Sequence, residues 1–253
     1  MEAGKRRKLI FEHMWSICKK EFRQFFGSLT GLVAIVVFLL MNGLFLFVFP
    51  DSSILDYGYA TLDKFFELAP WILLFLVPAV TMRCWSEEFK TGTFEILQTR
   101  PLSPAQLVTG KYLGAFSIIV IALLPTIIYA VSVQALAVDK GIDVGGTLGS
   151  YIGLFLLAAV FTAIGTWCSS LTSNSVVAFL VSAFMCFLLY TGFNAVSKIP
   201  MLQGKADYVL EMLGIDFHYK SISRGVLDSR DLIYFGSIIL FFLLITNRKI
   251  ALR

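Results

Sequence analysis

Charge is scarce in this chain, and so are the side chains that hold metals. Only 15% of its 253 residues are Asp, Glu, Lys or Arg, against about 25% in soluble domains. Histidine occurs only as His13 and His218, and the four cysteines, Cys18, Cys84, Cys168 and Cys186, show no C-x-x-C spacing. A structural metal site has no sequence support, and the cysteines are expected as reduced, buried thiols. The phosphate-cradling pattern G-x-x-x-x-G-K-[ST] is missing. Its nearest approach, Thr109-Gly110-Lys111-Tyr112, lacks the first glycine and the hydroxyl. No nucleotide site is expected, so an energy source must lie in another chain or in an ion gradient.

Hydrophobic residues fill the space that charge leaves. They make up 57% of the chain, with 24 Phe and a mean hydropathy of +0.79. That excess defines an integral membrane protein. The net charge of +4 is small. Its Lys and Arg gather at expected membrane edges, which fits lipid headgroups and gives no reason to expect nucleic acid. A basic N-terminus (Lys5, Arg6, Arg7, Lys8) precedes an apolar run too long for a signal-peptide core, with no small-x-small cleavage site after it. That run is expected to stay in the bilayer.

A spanning helix needs about 20 mostly apolar residues. Six segments qualify, near 29–49, 65–82, 107–138, 151–171, 176–196 and 232–246. The first is stopped by Pro50-Asp51, the third is long enough to tilt or kink at Pro125, and the sixth is the shortest. The fold class expected is an all-α integral membrane protein with six transmembrane helices, forming a single domain over 1–253. Lys and Arg number 14 on the side of the termini and the 83–111 connection, against 7 on the other. The positive-inside rule then places both termini in the cytoplasm.

Flanking segments carry helical patterns too. Over 10–26, Ile10, Met14, Trp15, Cys18, Phe22 and Phe25 recur at helical spacing between charged residues. This predicts an amphipathic helix lying in the inner interface. The external segment 197–230 mixes Asp207, Glu211, Asp216, His218 and Lys220 with apolar residues. One or two short re-entrant or interfacial helices are expected there, before the last span. Membrane centres hold almost no charge, which weighs against a gradient-driven carrier or channel. Glu67 reads as an outer-vestibule residue, and Asn42, Thr126, Gln134 and Asn194 read as interhelical glue. Glu87-Glu88 opens like the E-E-x-x-x-R motif of intramembrane prenyl-protein-type proteases. However, Gly92 stands in the arginine position, and Gly214, four residues before His218, stands where that fold needs Phe.

The most informative stretch runs from Pro78 to Lys111. It is a short charged segment between two apolar runs. It carries Glu87, Glu88, Lys90, Glu95 and Arg100, a Gly92-Thr93 pair, and prolines at Pro101 and Pro104. From Thr81 to Lys111 it reads T-M-R-x-x-x-E-E-x-x-x-G-T-x-E-x-L-x-T-x-P-x-S-x-x-x-x-x-x-G-K, followed later by Ser169-Ser170-Leu171-Thr172-Ser173-Asn174 and by Ser223-Arg224-Gly225-Val226-Leu227-Asp228. With the six spans, this block resembles the ABC-2 type transporter permeases, and among them the permease subunits associated with gliding motility.

The resemblance implies a division of labour. The permease forms the translocation pathway in a bacterial plasma (inner) membrane and is not itself an enzyme. A separate ABC ATPase subunit binds ATP and Mg²⁺, and this chain carries no cofactor. The connection over 86–104 would be a cytoplasmic coupling element, with Glu87, Glu88, Gly92, Thr93, Glu95, Leu97 and Pro101 at or supporting the ATPase contact. The carboxylates would meet basic groups, Phe94, Ile96 and Leu97 would offer apolar anchors, Gly92 would permit a bend, and Pro101 would fix the exit. Six spans are half of the usual membrane domain, so the resemblance also implies a second permease copy, as a homodimer. The alternatives are the gradient-driven carrier and a non-transporting scaffold of a motility complex.

Overall fold

The computed structural model describes residues 2–49, 54, 61–99, 102–137, 141–200, 204, 207–225 and 228–253, with side chains from residue 14 onward except Thr30. Pro50, Asp51, Arg100, Pro101, Lys140, Lys205, Val226 and Leu227, and the side chains of Lys5 to Lys8, lie outside the described residues.

The described residues are helical throughout, with no strand among them. Helix α1 (Glu2–Phe26) leads into α2 (Leu29–Phe47), whose N-cap Ser28 accepts from Gly31 N–H. Helix α3 (Asp63–Thr81) continues through Met82 into α4 (Arg83–Thr91), and α5 (Thr93–Gln98) follows Gly92. Helix α6 (Pro104–Leu123) opens on a capping box, with Ser103 and Gln106 each accepting from the other's backbone N–H. A 3₁₀ turn at Leu124–Thr126 carries Pro125 and leads into α7 (Ile127–Leu136). The regular helix is interrupted there, where the sequence predicts a tilt or kink, because the proline ring cannot continue the regular ladder.

Helix α8 (Val144–Ser169) is capped by Asp143, and α9 (Ser175–Phe187) by Asn174. A π turn at Leu188–Gly192 leads to α10 (Phe193–Ser197). Two short helices, α11 (Asp207–Met212) and α12 (Ile215–Ser223), precede the last helix, α13 (Ser229–Ala251). That last helix is longer than hydropathy predicts. Asp228 caps it one turn early, and it runs on through Asn247-Arg248-Lys249 because a helix need not end where its apolar stretch does.

Five helical runs are long and apolar enough to cross a membrane: Asp63–Thr91, Pro104–Leu136, Val144–Ser169, Ser175–Ser197 and Ser229–Ala251. Met14–Phe26 and Gly31–Phe47, bent by 73° at their junction, pass the same test together, which gives five or six candidate spans according to whether the bent pair is one span. The all-α membrane fold is as expected, with a 73° bend between its first two helices and two short helices before the last.

Helix α8 is the hub, buried nearly all round by α3, α6, α9, α12 and α13. It can be surrounded because it is rich in small residues. The ideal Cβ position at Gly165 lies 2.1 Å from Thr81 Oγ1 on α3. Thr126 and Tyr151 hydroxyls meet at 3.3 Å between the α6–α7 turn and α8, the interhelical link expected of a polar residue in a membrane helix. All four cysteines are buried and none is paired.

Candidate functional site

Helix α1 packs along α6. Two glycines one turn apart, Gly110 and Gly114, admit it: their Cβ positions would lie 3.0 Å from Ile17 and 2.8 Å from Glu21. This is a small-xxx-small seat, and the Gly110-x-x-x-Gly114 spacing is the sequence signal that would have located it. Between the two glycines stands Lys111, which is 2% exposed. Its Nζ donates to Glu21 Oε1 at 2.7 Å, lies 2.9 Å from Glu88 Oε1, bonds the Cys84 carbonyl, and sits 4.9 Å from the Trp85 ring. Lys20 Nζ reaches the same Glu88 oxygen at 2.7 Å. One buried ammonium therefore ties three elements together: α1 through Glu21, α4 through Glu88 and Cys84, and α6 through its own backbone. A buried cation is tolerable only with such compensation.

Helices α4 and α5 form an elbow around this cluster. Gly92 turns the chain in the left-handed conformation, with φ of 71°, which a β-carbon would strain. Inside the elbow, Phe94 packs edge-on to Trp85 and Phe89, with centroids 6.2 and 5.1 Å away. Arg253 lies 3.7 Å over the Phe89 ring, which brings the C-terminus to the same end. Ser169 on α8 supports the α3–α4 junction. Its hydroxyl donates to the Met82 carbonyl and accepts from Trp85 N–H.

The residues expected at a partner contact divide into two sets. Glu88 is 7% exposed and committed inward to Lys111 and Lys20. Leu97 is half-buried and packs on the core, and Phe94 is buried. Glu87 is partly exposed, 3.4 Å from Gln24 Nε2. Gly92, Thr93 and Glu95 are exposed at the tip, and Ile96 beside them is 61% exposed. Of the three apolar anchors expected, Ile96 alone projects fully from the elbow. Pro101 lies outside the described residues.

A second feature, which no local pattern announces, occupies the opposite end of the bundle. A cavity of about 950 Å³ opens between the start of α3, the start of α8, the π turn with α10, and α12. Glu67 is exposed on its rim and pairs with Lys64 at 3.2 Å, as its vestibule reading anticipates. Helix α12 forms one wall and is pinned from behind. His218 Nδ1 lies 2.6 Å from Asp231 Oδ1 on α13, and its Nε2 lies 2.8 Å from the Met212 carbonyl. That carbonyl can only accept, so Nε2 carries a proton. The imidazole also stacks on Tyr234 at 3.8 Å. Tyr219 donates to the Phe66 carbonyl at 2.7 Å. Burial pushes its phenol well above the ordinary value, which keeps it a neutral donor.

The class these features define is a polytopic helical membrane subunit with an internally braced elbow at one end of its bundle and a polar cavity at the other. The chain belongs to the ABC-2 family of transporter proteins, whose pattern matches residues 50–214. The matched region spans the elbow, the Gly110–Gly114 seat, the hub helix and most of the cavity wall. No curated protein matches the chain. Members of the family are non-catalytic membrane permeases, and membership implies an ABC ATPase partner and a lipid bilayer.

Proposed function

We propose that this chain forms the translocation pathway of an ABC-2 transporter and receives the work of a separate ATPase through the α4–α5 elbow. The observation that carries the reading is the contrast within one short segment. Glu88, Trp85 and Phe94 brace the elbow from inside, and Thr93, Glu95 and Ile96 are left exposed at its tip. An exposed apolar residue beside a charge, on a backbone held rigidly from behind, suits a docking contact. A push on the tip would reach α1 and α6 through Lys111, because that ammonium on α6 holds Glu88 of the elbow and Glu21 of α1.

The Lys and Arg balance supports an elbow facing the cytoplasm of a bacterial inner membrane, with both termini beside it. The six spans read from the sequence favour a homodimer as the working unit. The resemblance of the Thr81–Lys111 block supports a place in gliding motility or in export, with ATP and Mg²⁺ held by the partner.

Two measurements test this reading. In the first, the permease is purified in mild detergent and its nucleotide-binding partner is identified by mass. Glu95→Lys with Ile96→Asp should leave membrane insertion unchanged, since both residues are exposed. Recovery of the ATPase should drop about tenfold, as for loss of a contact hot spot. Equal recovery would remove the elbow from the coupling interface. In the second, single cysteines replace Glu95 or Asp143 in a cysteine-free background and meet an impermeant maleimide on spheroplasts. Position 143 should label on intact spheroplasts and position 95 only after the membrane is opened. The reverse pattern would invert the topology.

A further inference from the structure

The cavity at the far end of the bundle is built in two tiers. Its rim carries exposed charges of both signs, among them Asp63, Asp143, Lys198 and Arg224, so it opens toward water and not toward acyl chains. Its base is different. Asp216 is 7% exposed there, beside the buried rings of Tyr190, Tyr219 and Phe66. Trp71 stands edge-on to Tyr190, with centroids 5.9 Å apart. A carboxylate sunk among aromatic rings is the arrangement that attracts an organic cation, through charge pairing and through the ring quadrupoles.

The partners of Asp216 sharpen the case. Its Oδ2 accepts from Asn194 Nδ2 at 3.3 Å and from Lys220 Nζ at 2.7 Å, and Tyr190 lines the cavity beside it. Asn194 and Tyr190 belong to the wall. Lys220 is of another kind: it comes from one turn further along α12, and its side chain is 66% exposed. The pair is exposed on its lysine side alone, so the ammonium is free to swing into water while the carboxylate stays buried. The Lys220 ammonium therefore occupies the place that the ammonium of a ligand would take.

We infer that this cavity is a binding site for a water-borne organic amine, whose ammonium group displaces Lys220 from Asp216 while its apolar body lies against Trp71 and Tyr190. The cavity volume of about 950 Å³ matches sites that enclose small organic molecules. Binding needs no ATPase, so the site stands or fails separately from the coupling role of the elbow.

The test uses the full chain in nanodiscs of phosphatidylglycerol, which lack ammonium lipids, with calorimetric titration of 2-phenylethylammonium. Its neutral isostere, 2-phenylethanol, is the control. Saturable binding of the amine and none of the alcohol is expected. Asp216→Asn should weaken the amine about tenfold, as for loss of a charge-assisted bond. Lys220→Ala should tighten it about threefold, because a tethered, mostly exposed competitor is removed. This opposite sign is the decisive readout, since a disturbed wall would lower affinity in both variants, whereas removal of a competitor raises it. Equal binding of the alcohol, or a Lys220→Ala variant that binds the amine no better than the wild type, would overturn the site. So would displacement of the bound amine on adding phosphatidylethanolamine, which would assign the cavity to a lipid headgroup.

Discussion

Lys111→Met should unfold the permease in detergent at a markedly lower temperature, with a loss of about 3–5 kcal/mol, the cost of stripping a buried ion pair of one partner. Methionine fills nearly the same volume, so the loss is electrostatic and not a cavity effect. The cation neutralises two carboxylates, Glu21 and Glu88, both nearly buried. Without it, Glu88 keeps only Lys20, and Glu21 has no other ion pair among the described residues. The triple change Lys111→Met with Glu21→Gln and Glu88→Gln should recover most of the stability, because no uncompensated charge is then left inside. Fluorescence-detected gel filtration after heating reads both. A Lys111→Met variant as stable as the wild type would show that the cluster is not what holds α1, α4 and α6 together. The same cluster explains why Glu88 and Glu95 should answer differently to charge reversal. A lysine at 88 would face Lys111 inside the elbow, whereas a lysine at 95 would face solvent.

Gly165→Ala should destabilise the bundle through a single methyl. The added Cβ would lie 2.1 Å from Thr81 Oγ1 and 2.9 Å from Thr81 Cβ. Thr81 is fully buried and its hydroxyl bonds the Val77 carbonyl one turn back, so it has nowhere to rotate. The clash must instead push α3 away from the hub helix, at about 1–3 kcal/mol for overpacking. Effects should extend beyond stability, because α3 runs directly into the elbow. Thr81→Ala in the Gly165→Ala background should restore part of the loss by removing the nearest atom. Thr81→Ala alone should cost less than Gly165→Ala alone. Additive losses in this cycle, with no recovery in the double variant, would mean that the helices do not touch at this point.

Much of the architecture was legible from local pattern. Apolar run length marks the spans whatever packs around them, because any helix crossing hydrocarbon must cover its backbone with apolar side chains. Pro125 announced a break, Ser103, Asp143 and Asn174 are cap residues in cap positions, and Gly92 was readable as a bend because only glycine turns there without strain. The Thr81–Lys111 block pointed to the family that the chain belongs to, and it singled out the segment that forms the elbow.

The division among the carboxylates was not legible. Glu87, Glu88 and Glu95 are chemically alike and lie within nine residues of one another. Local pattern treats them as one charged surface, yet Glu88 points inward and Glu95 outward. The choice was made by Lys111, which α6 presents from the Gly110–Gly114 seat against α1, and by the phase at which α4 continues α3. The cavity was hidden for the same reason. Trp71, Tyr190 and Asp216 come from three separate stretches of chain and acquire a common chemistry only when α12 folds back under the hold of His218 and Asp231. By itself the sequence determined what must be local: hydropathy, caps, bends and the family pattern. Tertiary structure alone decided which polar side chains face one another, because a buried charge is stabilised by partners that helix packing delivers from distant parts of the chain, and no periodicity along one helix encodes where those partners will stand.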